Sequence, residues 1–233
     1  SDVYKRQLFK NDQAMTVVVS IILVYTSLNI CGNLVLYFFR FDVGNEGAYS
    51  IFAAVAFAAQ VLVMMVIPLL RKRFSKSQLF ISGFVIQIAG FAVILIMAFA
   101  KLYTPQSWYI LCLPGILIYL GYGMLNVIMT IFLSDSVDYG EVMNGTREES
   151  VIFSMQTFTV KLASGVAVFL AGLVVDWIHL DTAAAVQTQD TLDALRMWMT
   201  IPSVILLIVG IFVFKRFYKL DDTRMEEIKS KLN

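Results

Sequence analysis

Lys161 is the residue whose chemistry is hardest to house. It lies about eleven residues into an apolar run spanning about 150–178, which at 1.5 Å per residue is roughly 17 Å along a helix. At that depth in a bilayer a lysine costs about 2.5–3.5 kcal/mol even on the lenient insertion scale, and its stem cannot easily snorkel so far. It therefore needs a cavity or a carboxylate. Counting 100° per residue, Ser150, Ser154, Thr157, Ser164, Gly165 and Gly172 fall within about 60° of it. One face of this helix is thus polar or small from end to end. That face suits a ligand path, with close helix packing as the alternative. Gln156 points roughly 140° away. The chain has 17 acidic residues, and none falls within the core of an apolar run. The nearest on this helix, Asp176, is roughly 22 Å along. Lys161 is then either neutral when buried or paired with carboxylates in another segment; the second is the expectation.

Two further stripes are uncharged. Tyr25, Asn29, Asn33 and Tyr37 recur at intervals of four, and Tyr119, Tyr122, Asn126 and Thr130 repeat the pattern further on. Amide and phenol groups beside flat rings suit a hydroxylated ligand such as a carbohydrate, which asks for many neutral hydrogen bonds and an apolar face for its C–H side. Interhelical hydrogen bonding as packing glue is the alternative. The Pro114-Gly115 pair before the second stripe is expected to bend its helix.

A third group is acidic: Asp135-Ser136-Val137-Asp138-Tyr139-Gly140-Glu141, then Arg147-Glu148-Glu149-Ser150. It reads as a loop between two apolar runs. Glu148 and Glu149 suit the positive end of the following helix, and Arg147 can pair with Asp138 or Glu141. A gate latched by Asp135, Asp138, Tyr139, Glu141, Arg147 and Glu149 is one reading, and simple capping is the other.

The elements that carry these groups are membrane spans. Of 233 residues, 59% are hydrophobic and 15% charged, and the mean hydropathy is +0.76, far from average soluble usage. Six runs reach the roughly 20 residues that a bilayer demands: about 14–39, 49–70, 79–100, 109–133, 150–178 and 197–217. What remains is a polar segment, 1–13, and a charged tail, 218–233, read as a solvated helix or frayed end. Lys5, Arg6, Lys10, Arg71, Lys72, Arg73, Lys76, Arg147 and the six cations after 214 fall on one side, against Arg40, Lys101 and Arg196 on the other. Positive charge marks the cytoplasmic side, so both termini are expected there. A net charge of +1 recruits no nucleic acid. Cys31 and Cys112 sit in apolar runs and argue for packing rather than a disulfide framework. His179, the single histidine, is at a run end, so no nucleophile, base or metal set assembles at depth. No catalytic residue, cofactor or metal site is expected. The start at Ser1 and the opening residues 1–7, similar to translated adapter sequence, read as the edge of a fragment.

The string Asp135 to Glu141, followed by Arg147-Glu148-Glu149-Ser150 and by Gln156-Thr157-Phe158-Thr159-Val160-Lys161, resembles the glycoside-pentoside-hexuronide:cation symporters, the melibiose-carrier branch of the major facilitator superfamily. The resemblance runs in register through all six spans. It implies an all-α membrane fold of twelve helices in two six-helix bundles, with substrate between them at the midplane. This chain would supply helices seven to twelve of a carrier in the bacterial cytoplasmic membrane. Its partners would be lipid, a sugar, glycoside or uronide, and a missing N-terminal half carrying the carboxylates of a Na⁺ or H⁺ site. In that family a lysine matching Lys161 approaches the cation site, and residues matching Gln156 and Thr157 lie near the sugar. Tyr25, Asn29, Asn33 and Asn126 complete the expected site. At Asn126 the chain departs from the melibiose carriers, which have an aromatic residue there. A six-helix channel or membrane packing subunit is the alternative.

Overall fold

The computed structural model describes residues 11–147 and 149–232. Lys5, Arg6, Lys10, the opening residues 1–7 and Glu148 lie outside the described residues. Every regular element among those described is helical. α1 (Asp12–Tyr37) winds on through a π-helical turn (Phe38–Val43) and is followed by α2 (Ala48–Leu70) and α3 (Lys76–Phe99). A 3₁₀ turn (Trp108–Leu111) leads into α4 (Cys112–Asn144), then α5 (Glu149–Trp177), α6 (Gln189–Phe217) and α7 (Asp222–Leu232). α1 to α6 are long and apolar enough to cross a membrane, and the protein is a multi-pass membrane protein. Asn11, the turn after α2, the last turns of α4 and α7 share one end of the bundle, called here the tail end. The π turn of α1 and the 3₁₀ turn share the other, the Asp42 end.

Local chemistry sets the boundaries. The Asn11 carboxamide oxygen caps α1 by accepting from the Ala14 N–H at 3.0 Å. Ser75 and Gln78 form a reciprocal capping box at α3, at 3.0 and 3.1 Å. Gly145, at φ 72°, closes α4 in the left-handed conformation that glycine adopts without strain.

α1 and α4 are the centre. α4 packs against α2 and α3, α1 packs against α5 and α6, and the two meet each other along a narrower seam. The α3–α4 crossing is close because both helices present glycine: a Cβ added at Gly121 would lie 2.5 Å from the Gly83 carbonyl oxygen. α1 and α6 are tied at three depths. Gln13 donates to the Phe217 carbonyl and accepts from the Lys219 N–H at 2.7 Å. Ser27 and Ser203 each donate to the other's backbone carbonyl, at 3.1 and 2.8 Å. Arg196 binds Asp42.

Four expectations are corrected. The acidic segment Asp135 to Glu141 is not a loop but the last turns of α4. At 33 residues that helix is about 50 Å long, so its end projects past a core of roughly 30 Å and needs no apolar residues. Pro114 and Gly115 bend nothing: they sit in the first turn of α4, where proline's missing N–H leaves no bond unmade, and Gly115 makes room for the Phe52 ring, 2.5 Å from an added Cβ. α6 starts at Gln189 rather than near 197, because Thr188 caps a polar first turn that hydropathy does not register. The tail is a docked helix, with Leu220, Met225 and Ile228 buried against Tyr139, Val142 and Tyr218.

Candidate functional site

Three helices contribute to one neutral polar wall. From α1, the Tyr25 phenol oxygen accepts a hydrogen bond from the Asn126 amide of α4, and the Tyr25 ring meets Tyr122 edge to face at 5.5 Å. One turn on from Asn126, Thr130 donates to the Asn126 carbonyl at 3.1 Å and accepts from Gln156 of α5 at 3.5 Å. Tyr119 stands beside Tyr122 at 6.4 Å. Tyr25, Asn126 and Gln156 are half-buried, each with an apolar body and a polar end held by a neighbour. Asn29 and Asn33 continue along α1, their amides donating to the Tyr25 and Asn29 carbonyls at 2.7 Å each. That use of the N–H groups leaves the carboxamide oxygens as acceptors. The wall thus combines phenols, amides and a hydroxyl without a formal charge.

Lys161 and Thr157 are not brought to this wall. They lie on the exposed side of α5, whose buried side, Thr159, Ala163, Ala167 and Ala171, faces α1. Lys161 makes no hydrogen bond or ion pair among the described residues. Gly165 and Gly172, on its face, have nothing within 4 Å of an added Cβ, and the same holds for Gly32 on α1. The expected cavity or carboxylate for Lys161 is therefore not supplied by the described residues.

At the tail end the expected gate residues fall into two clusters. Arg147 donates to Asp138 at 3.0 Å and Glu141 at 2.9 Å on α4, and to Glu149 at 3.3 Å on α5, bridging the two helices. Glu141, then Asp138 and Glu149, hold the guanidinium above its ordinary range. Asp135 is elsewhere: its carboxylate pairs with Lys76 of α3, both side chains only 6% exposed. Asp222 of α7 lies 3.4 Å from Lys76 and 3.4 Å from Arg71. Tyr139 belongs to neither charge cluster and packs under α7. Tyr218, just past α6, has its phenol pushed up by burial and by the nearby Asp135 carboxylate.

Lys76, one of the cations between the second and third apolar runs, is the first residue of α3 and is buried beneath the tail. A second pair went unforeseen. At the Asp42 end, Arg196 holds Asp42 through Nε at 2.9 Å and through Nη2, both side chains 3% exposed. Tyr103 donates to the same carboxylate at 2.5 Å. Burial, then that bond to Asp42, pushes the phenol up and keeps it a donor. The one available sign was that Arg196 and Asp42 flank apolar runs at the same membrane edge.

The chain matches the family model described as MFS/sugar transport protein over residues 4–222. It is similar to an uncharacterized symporter of Bacillus subtilis, 26% identical over 96% of this chain and 47% of that protein. It is also similar to the raffinose carrier protein of Pediococcus pentosaceus, 22% identical over 97% of this chain and 35% of that protein. The isoprimeverose transporter of Lactiplantibacillus pentosus is 26% identical over 80% of this chain and 37% of that protein. The chain spans about half or less of the length of these relatives. It belongs to the MFS/sugar transport protein family, a family of carriers rather than enzymes.

Proposed function

We propose that this chain is the C-terminal half of a cation-coupled symporter for a sugar, glycoside or uronide, seated in a bacterial cytoplasmic membrane with both termini inside. The observation that carries the proposal is the exposed face of α5. Lys161 stands there at mid-span among Ser154, Thr157, Gly165 and Gly172, at a depth where lipid charges about 2.5–3.5 kcal/mol for a lysine. Another protein surface covers that face, and carboxylates on it give Lys161 its partner and the coupling ion, Na⁺ or H⁺, its site. The neutral wall of Tyr25, Tyr122, Asn126, Thr130 and Gln156 binds the sugar hydroxyls, with the tyrosine rings against the C–H face. The names of the relatives, carriers of raffinose and isoprimeverose, agree with a carbohydrate substrate. The ion pairs of Arg147 latch the cytoplasmic end.

The test is uptake by the natural full-length carrier in proteoliposomes, using radiolabelled raffinose, isoprimeverose and a glucuronide, each with an imposed Na⁺ gradient, an imposed pH gradient, or neither. Accumulation of one of these only when a gradient is present is the expected result. A membrane conductance without sugar accumulation would favour a channel.

A further inference from the structure

We propose that Asn11 is a positioning residue for the gate segment of α4, and that Gly140 is a glycine in order to admit it. Asn11 is 4% exposed, and its side chain is used at both ends. Its oxygen caps α1 at the Ala14 N–H, while its Nδ2 donates at 2.9 Å to the carbonyl of Ser136, 125 residues away on α4. Ser136 is itself fully buried and donates to the Phe132 carbonyl at 2.8 Å. One turn further along α4, a Cβ added at Gly140 would lie 2.9 Å from the Asn11 nitrogen, closer than real contacts allow. Gly140 has an ordinary helical φ, so the backbone does not call for glycine there. Space for Asn11 does.

Ser136 and Gly140, two residues of the acidic string that neither ion-pair cluster uses, thus share one role. They receive the first turn of α1, the helix that also carries Tyr25, Asn29 and Asn33. Because Gln13, two residues on, is bonded to Phe217 and Lys219, the first turn of α1 joins α4 and α6 at one point. The segment bearing Asp138 and Glu141 is held against α1 and moves with the helix that contacts substrate. Calling that segment a gate rests on the proposed transport function. The tie itself does not, and it is measured without transport.

The experiment is backbone hydrogen exchange of the protein in nanodiscs, read by mass spectrometry on the peptide covering 134–147, with a peptide from the middle of α3 as control. Asn11→Asp and Asn11→Ser both keep a capping oxygen and lose the amide donor. Each is expected to speed exchange in 137–144 about tenfold, as for the loss of one buried hydrogen bond, with the control peptide unchanged. Gly140→Ala fills the space that Asn11 occupies, so in that background neither Asn11 substitution adds further acceleration. Unchanged exchange in both Asn11 variants overturns the proposal. So does acceleration by Asp alone, which is an effect of charge, or acceleration that persists in full beside Gly140→Ala. If the tie is present but Asn11→Ser leaves sugar uptake by the full-length carrier at the wild-type rate, the gate reading fails and the tie stands.

Discussion

The Asn126 amide on α4 donates to the Tyr25 phenol oxygen on α1, joining the two central helices where their contact is narrow. The bond holds the Tyr25 ring beside Tyr122 and sets both polar groups on the neutral wall. Losing one neutral hydrogen bond in such a unit is expected to raise the sugar KM roughly five- to tenfold. Tyr25→Phe and Asn126→Leu should each do so in uptake assays. Because the two residues act together, the double substitution should cost clearly less than the product of the single effects. Fully multiplicative effects would mean that they act separately.

Lys76 and Asp135 form a buried pair between α3 and α4, and removing one member leaves the other charged and unpaired. Lys76→Met is expected to destabilise the protein by about 3–5 kcal/mol, read from the unfolding midpoint in detergent. Lys76→Met combined with Asp135→Leu should recover most of that loss, since an apolar pair needs no compensation. A double variant as unstable as the single would place the cost in packing.

Arg147 is exposed, and its three carboxylate partners add little to folding in water. Arg147→Gln should therefore leave the melting temperature nearly unchanged while speeding conformational exchange at the tail end, measured by the alkylation rate of a cysteine placed in the proposed cytoplasmic path. An unchanged rate would reduce the cluster to a helix-end cap.

How far these features could be read beforehand depends on what hydropathy and spacing carry. All six spans announce themselves because lipid permits few polar residues over about 20 positions. Where a helix leaves the membrane that signal stops, so Asp135 to Glu141 look like a loop and Gln189 to Asp193 look unstructured, although both are helical. The Tyr25 and Asn126 stripes each show in the periodicity of their own helices. That they meet does not, since facing is a property of packing. Lys76 and Asp135 are 59 residues apart, and Asp42 and Arg196 are 154 apart. Nothing in either neighbourhood names a partner at such a distance. Arg147 with Asp138 and Glu141 could be anticipated because the three lie within three turns of one another.

Lys161 carries the central claim. The measurement is sugar accumulation by the full-length carrier in proteoliposomes under the driving ion gradient, beside sugar counterflow without a gradient, for the wild type and Lys161→Ala. Loss of gradient-driven accumulation, with counterflow retained, is the predicted result, since the proposed sugar-binding wall of Tyr25, Asn126 and Gln156 is untouched. Gradient-driven accumulation at the wild-type level in Lys161→Ala would remove Lys161 from the coupling mechanism and contradict the account.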